Sequence, residues 1–260
     1  MIGAIAGDII GSRFEGSRAR ERDFTLFHQS CRFTDDTVCT LAVASALLGD
    51  LDFARHLRSL GRIYPHAGYG GMFRRWLRSD DAPPYGSWGN GAPMRVAAVG
   101  WLATTIEDVD RLAEAQAAVS HNHPDAIAAS KAVARSIFLL SRGESTDTLK
   151  SGLERDFDYD LSRSAMLARP KFDITAKGTA QTAITIALKA ENFEDTIREA
   201  ALISGDTDTL ACIAGAIAES IHGVPQDLAN AARQRLTPDL LTIADHFDAA
   251  TRPQRARLKS

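Results

Sequence analysis

Apolar residues recur at helical spacing along almost the whole chain, and that period excludes most folds at once. After Asp36, residues Val38, Leu41, Ala42 and Ala46 fall at i, i+3, i+4 and i+8 on one helix face, with the small Ser45 at i+7. Runs of alternating β-branched residues, which would mark half-buried strands, are few, and Ala and Leu dominate instead. The spacing predicts further helices over about 107–119, 124–141, 174–190, 193–203, 207–222 and 226–235. Pro124 and Pro225 fall near predicted helix starts, where a missing N–H costs little. The opening MIGAIAGDIIGSRFEG is apolar, but Asp8 interrupts it and no basic segment precedes it. It reads as a buried first helix, not as a signal peptide or membrane span. The expected class is all-α.

Two stretches break the rhythm. One runs through YPHAGYGGMF and SDDAPPYGSWGNGAPMR; the other is FDYDLSRSAMLARPKFDITAKGTA. Apolar helices continue on both sides of each without a shift in composition, so residues 1–260 are expected to form one domain. The final TRPQRARLKS is expected to be a solvated tail. A net charge of −3 argues against a broad nucleic-acid-binding surface. Cys31, Cys39 and Cys212 are odd in number and lack CxxC spacing, so buried reduced thiols and a cytoplasmic location are expected.

The chemistry-bearing residues sit at helix starts. Thr34, Asp35, Asp36 and Thr37 precede one apolar helical run, and Asp206, Thr207, Asp208 and Thr209, led by Ser204 and Gly205, precede another. One such cluster alone is accounted for by capping, because Thr and Asp oxygens accept from unpaired N–H groups and carboxylates suit the helix dipole. Two clusters, each with two carboxylates and a hydroxyl, exceed what capping requires. Mg²⁺ or Mn²⁺ takes about six oxygen ligands of this kind, and four Asp with two Thr suit a pair of ions. Zinc fits less well, since no Cys/His spacing accompanies the acids.

A glycine-rich loop, GSWGNGAPMR, offers close backbone approach at Gly86, Gly89 and Gly91, side-chain hydrogen bonds from Ser87 and Asn90, and Arg95 as a phosphate partner. A structural turn accounts for the same residues. Neither a Walker A loop nor GxGxxG after a strand is present. His121 and His123 stand just before Pro124, as candidate cap or ligand contacts.

Taken in order, MIGAIAGDIIGSRFEG, FTDDT, GYGG, SWGNGAPMRV, SHNHP and SGDTDTLACIAGAI resemble the ADP-ribosylglycohydrolases, over about residues 1 to 225, in a short bacterial form. The resemblance implies a compact orthogonal helical domain with two divalent cations, Mg²⁺ or Mn²⁺. It matches Thr34, Asp35 and Asp36 to the first ligand group, Asp206, Asp208 and Thr209 to the second, and Glu15 to an acidic residue beside the scissile bond. On the substrate side it matches Gly68, Gly70, Ser87, Trp88, Gly89, Asn90 and His121, with His123 secondary. The implied reaction is hydrolysis at C1″ of the distal ribose, releasing ADP-ribose from a modified protein, a nucleobase or a small molecule. Asp36 and Glu15 are the candidates to take the water's proton, and Asp80 or Asp81 are weaker candidates for the leaving-group acid. A monomer is expected. The alternative is an ADP-ribose-binding module of the same fold without turnover.

Overall fold

Side-chain caps and apolar runs translate directly into helices in the computed structural model, which describes residues 1–170, 172–203 and 205–256. The first half holds α1 (Ile2–Gly11), α2 (Asp35–Leu48), α3 (Phe53–Ile63), α4 (Gly71–Arg78), α5 (Ala97–Leu102), α6 (Ile106–Ala118) and α7 (Pro124–Leu140). The second holds α8 (Thr146–Phe157), α9 (Arg163–Ala168), α10 (Ala176–Lys189), α11 (Phe193–Ile203), α12 (Thr207–His222), α13 (Gln226–Arg233) and α14 (Pro238–Ala256). No strand occurs among the described residues; Gly89 and Thr175 make an isolated antiparallel bridge. Hydroxyl caps on α2, α6, α8, α9 and α10 (Thr34, Thr105, Ser145, Ser162 and Thr175) each accept from a backbone N–H of the first turn. The chain is all-α, as the spacing predicts.

At the centre lies a pair of helices buried on nearly every side. Every residue of α1 is buried, and α12 is buried from Thr207 to Ser220. A helix apolar all round belongs inside the molecule. Small residues let these two backbones touch. A Cβ built on Gly3 would stand 2.4 Å from the Gly215 carbonyl, on Gly7 2.0 Å from that of Ala211, and on Gly11 2.5 Å from that of Thr207. Four residues forward along α1 correspond to four residues back along α12, so the helices run antiparallel. The last turn of α1 therefore meets the first turn of α12, and the site is built there. Around this pair, α7, α10 and α11 pack on α12, while α2 carries α3, α5 and α14.

Two sequence expectations need correction. The stretch between Ile63 and the glycine-rich loop contains α4, whose Phe73, Trp76 and Leu77 are buried. The tail is not solvated from its start: α14 continues through Ala256, and Thr251 is buried with its hydroxyl donating to the Phe247 carbonyl at 2.9 Å. Residues 257–260 lie outside the described residues. Among the described residues no helix is long and apolar enough to cross a membrane.

Candidate active site

The start of α2 is organised by a carboxylate from another helix. Asp8, fully buried in α1, accepts from the Thr34 N–H at 2.9 Å, the Thr34 hydroxyl at 2.6 Å, the Thr37 N–H at 3.1 Å and the Thr37 hydroxyl at 2.5 Å. Both threonines beside the Asp pair thus serve to anchor α2 on α1. Thr34 also caps its own helix, accepting from the Asp36 N–H at 3.3 Å. This arrangement turns Asp35 and Asp36 toward the start of α12.

A third segment arrives from the turn after α1. Gly16 donates to the Gly205 carbonyl at 2.7 Å, and Glu15 Oε2 accepts from the Thr207 N–H at 3.3 Å. Glu15 consequently lies beside Asp206 and Asp208 and shares a hydrogen bond with Asp208. Two carboxylate triads result, each with oxygens within 4.8 Å of one another: Asp8, Asp36 and Asp208, and Glu15, Asp206 and Asp208. Thr209 donates to Asp36 Oδ2 at 3.2 Å, and Asn90 donates to Asp206 Oδ2 at 2.5 Å. Ser204 lies outside the described residues.

These residues form the acidic part of a cavity of about 600 Å³. Its wall includes Glu15, Thr34, Asp35, Asp36, Gly68, Gly70, Ser87, Gly89, Asn90, His121, Asp206, Asp208 and Thr209, bringing nearly the whole expected set together. Gly68, at φ +120°, passes so close to Asp35 that a Cβ would stand 2.9 Å from Oδ1. The Ser87–Asn90 loop is tied to the segment before α10: the Asn90 N–H donates to the Ile174 carbonyl at 3.0 Å, and the Ala176 N–H donates to that of Trp88 at 2.9 Å.

The structure does not bring the Trp88 side chain to the cavity wall; it is 50% exposed, and only its backbone takes part in the loop. Asp80 and Asp81 also lie away from the cavity, and Asp80 pairs with Arg62 at 2.7 Å, which removes it as a leaving-group acid. His123 is a helix cap, accepting from the Asp125 N–H at 3.2 Å. Arg95 lines the cavity but is committed to Gln116 and Ser120.

Sequence reasoning missed Asp8 as a site residue, although a lone carboxylate inside an apolar helix was the available signal. It also missed Arg32, His66 and Arg75 on the cavity wall, which carry no local pattern.

The carboxylates repel one another. Among the described residues no Lys or Arg is paired with Asp8, Asp35, Asp36 or Asp208, and Asp36 Oδ1 is buried without a hydrogen-bond partner. Burial first, then the Asp208 charge, push Asp8 up to about 7, and push Asp35 and Asp36 well above the carboxylate range. The same two causes raise Asp206 to about 7; burial and the hydrogen bond with Asp208 raise Glu15 to about 9. A cluster of hard oxygen donors with excess negative charge and an orphaned buried oxygen fits divalent cations.

A pH dependence follows from these shifts. Burial and mutual repulsion raise Asp8, Asp206 and Glu15, so the folded metal-free cluster holds protons at pH values where the unfolded chain, whose carboxyls titrate near pH ~4, has released them. Stability falls with rising pH wherever the native state binds more protons. The metal-free protein should therefore melt at progressively lower temperature as pH rises from about 4 through 7. Saturating Mg²⁺ should flatten that slope. Thermal melts across this range, with EDTA and with Mg²⁺, read both.

Residues 1–257 match the family model described as ADP-ribosylglycohydrolase. Among curated proteins, the ADP-ribosylhydrolase ARH3 of Mus musculus is 23% identical, with 87% of this chain and 83% of that protein covered. The ARH3 of Gallus gallus is 26% identical, with 87% and 85% covered. The ADP-ribosyl-[dinitrogen reductase] glycohydrolase of Rhodospirillum rubrum is 27% identical, with 74% and 70% covered. A solved structure titled "ADP-ribosylglycohydrolase-related protein complex" shares the fold, with TM-score 0.74 and 21% identity, over 100% of this chain and 97% of that one. With nearly its full length matched to the family, the chain belongs to the ADP-ribosylglycohydrolases.

Proposed function

We propose that the chain, acting as one catalytic unit over residues 1–260, hydrolyses the bond at C1″ of the distal ribose and releases ADP-ribose from an ADP-ribosylated protein, nucleobase or small molecule. The observation that carries this reading is the convergence of four Asp and one Glu, from α2, the start of α12 and the turn after α1, on one cavity beside a glycine-rich wall, with the buried Asp8 of α1 behind Asp36 and Asp208. Family membership supports the hydrolase class, and the names of the relatives support ADP-ribosyl acceptors.

Thr34, Asp35, Asp36, Asp206, Asp208 and Thr209 would hold two Mg²⁺ or Mn²⁺ ions, and Asp8 would add its carboxylate beside Asp36 and Asp208. The chemistry such ions supply is Lewis acidity and orientation of the oxygens that bind them. Asp36 is only 2% exposed and its Oδ2 accepts from the Thr209 hydroxyl at 3.2 Å, so we assign it to holding rather than to proton transfer. Glu15 is exposed at the cavity wall and anchored through one oxygen to the Thr207 N–H; ionised once bound cations offset the burial and the Asp208 and Asp206 charges that keep it protonated in the metal-free protein, it is our candidate to take the proton from attacking water. The remaining carboxylates offset positive charge that develops on the ribose. Gly68, Gly70, Ser87, Gly89 and Asn90 line the cavity with backbone and short polar groups, which we assign to the ADP-ribose oxygens, and His121 adds a ring nitrogen. Trp88 is available to that ligand only from outside the cavity wall. The three free thiols are all buried, which suits a reducing compartment such as the cytoplasm.

A panel of defined ADP-ribosyl linkages (arginine, serine, nucleobase and acetyl ester), each assayed with Mn²⁺, Mg²⁺ and EDTA, tests the proposal. ADP-ribose should appear from at least one linkage with either ion and disappear with EDTA. Binding of ADP-ribose without turnover of any linkage would overturn the hydrolase assignment.

A further inference from the structure

Behind the glycine-rich wall lies a buried cation that no carboxylate among the described residues neutralises. Arg95 is 0% exposed and held by neutral groups: Nε donates to Gln116 Oε1 at 2.8 Å, and Nη2 donates to the Gln116 carbonyl at 2.6 Å and to Ser120 Oγ at 3.0 Å. Gln116 is itself oriented, since its Nε2 donates to the carbonyls of Ala92 and Ala113 at 3.3 and 3.1 Å. Arg95 Nη1 is buried without a hydrogen-bond partner.

Counting hydrogens then fixes the ring of His121. An arginine only donates, so Ser120 Oγ accepts from Nη2, and the one hydroxyl hydrogen remains for another acceptor. His121 Nδ1 lies 2.8 Å away, and no other acceptor for that hydroxyl is found among the described residues. An Nδ1 that accepts carries no hydrogen, so the neutral ring bears its hydrogen on Nε2. That edge meets the cavity: His121 and Gly91 both line it, and a Cβ at residue 91 would stand 2.7 Å from Nε2. Nε2 has no partner among the described residues, yet it is not one of the sealed polar atoms. The rings of Tyr85 and Phe73 flank the imidazole at 5.6 and 6.0 Å. Arg95 and Tyr85 are the titratable groups facing it; burial raises the Tyr85 phenol, while burial and the Arg95 charge hold the imidazole well below its usual range.

We infer that Arg95 and Ser120 are positioning residues that lock His121 as a neutral Nε2–H donor aimed at an oxygen of the bound ligand, a phosphate or sugar oxygen. This rests on the reading of the cavity as the ADP-ribose site. The lock has a physical use: a ring that could flip its tautomer would present a lone pair to the same oxygen and lose the hydrogen bond. A neutral donor also keeps its strength constant across neutral pH, where an ordinary histidine changes charge.

Nitrogen-15 spectra of histidine-labelled full-length protein test the inference, with the His121 signals assigned through His121→Asn. The wild-type ring should show protonated Nε2 and bare Nδ1, unchanged between about pH 5.5 and 8. Ser120→Ala should release the lock, bring in the Nδ1–H form and weaken ADP-ribose binding about tenfold. Ser120→Thr, which keeps the hydroxyl, should restore both readouts. An Nδ1–H ring in the wild type, a titration near pH ~6.5, or an unchanged ring in Ser120→Ala would overturn the inference. A locked ring in a protein that does not bind ADP-ribose supports the hydrogen-bond chain and overturns only the reading of the cavity.

Discussion

Replacing Asp208 with Asn should cut ADP-ribose release by about 10³-fold or more, a barrier increase of about 4 kcal/mol, while leaving the helical fold in place. Asp208 is the one carboxylate common to both triads, so its loss weakens two binding positions at once. The same substitution should raise the melting temperature of the metal-free protein. The Asp208 charge helps to push up Asp8, Asp35, Asp36, Asp206 and Glu15, and removing it relieves repulsion on all of them. At this chain length each kcal/mol relieved is worth about 2–4 °C. The signature is thus opposite shifts: a more stable apo protein, and little or no stabilisation when Mg²⁺ or Mn²⁺ is added. Calorimetry with EDTA and with each ion, alongside an ADP-ribose release assay, reads all three quantities. An Asp208→Asn protein that melts lower without metal and still gains stability from Mg²⁺ would contradict the assignment of this residue to the ion site.

That experiment probes a site whose ends were legible in the sequence and whose middle was not. Thr34, Asp35 and Asp36, and Asp206, Asp208 and Thr209, sit at helix starts that apolar spacing marks well, and α2 and α12 begin there. Capping and ligation proved to be divided among residues rather than opposed. Thr34 caps α2 and donates to Asp8, while Asp36 keeps an oxygen with no hydrogen-bond partner. Asp8 escaped because its role depends on a contact across 26 residues of sequence, which no local period encodes. His121 was found by likeness, but its support was not: Gln116 and Ser120 look like ordinary polar residues until the fold closes them around Arg95.

For the fold, helices with a repeating apolar pattern and a marked start were readable, as α6, α7, α10, α11 and α12 show. Short amphipathic helices inside glycine- or proline-rich surroundings were not. In α4, only Phe73, Trp76 and Leu77 are buried, too few to stand out as a period beside the glycines before them. The end of the chain misled for a different reason. Its basic composition suggested solvent, but Thr251 lies on the buried side of α14 and hydrogen-bonds back along the helix.

Gly7→Ala should destabilise the protein by about 3 kcal/mol, and Gly7→Val should prevent recovery of folded protein. Alanine is the better helix former by about 1 kcal/mol, so helix propensity alone predicts the opposite sign. The packing decides otherwise: a Cβ at residue 7 would stand 2.0 Å from the Ala211 carbonyl oxygen and 2.9 Å from the Cys212 nitrogen. Backbone atoms of a buried helix cannot rotate away as a side chain can, so α12 as a whole must shift. Gly152→Ala in α8 is the control, since the nearest atom to a Cβ there is the end of the Arg155 side chain at 4.0 Å, and it should gain roughly 0.5–1 kcal/mol. Gly11→Ala carries the argument to the site. Its Cβ would meet the Thr207 carbonyl at 2.5 Å and Asp208 Cα at 2.7 Å, at the turn that presents Asp206 and Asp208. That variant should lose about 10–100-fold in divalent-ion affinity, beyond what its loss of stability explains. Urea unfolding and Mn²⁺ titration of the three alanine variants separate these effects. If Gly11→Ala bound Mn²⁺ as tightly as the wild type, the α1–α12 contact would be structural only and the metal-site geometry would not depend on it.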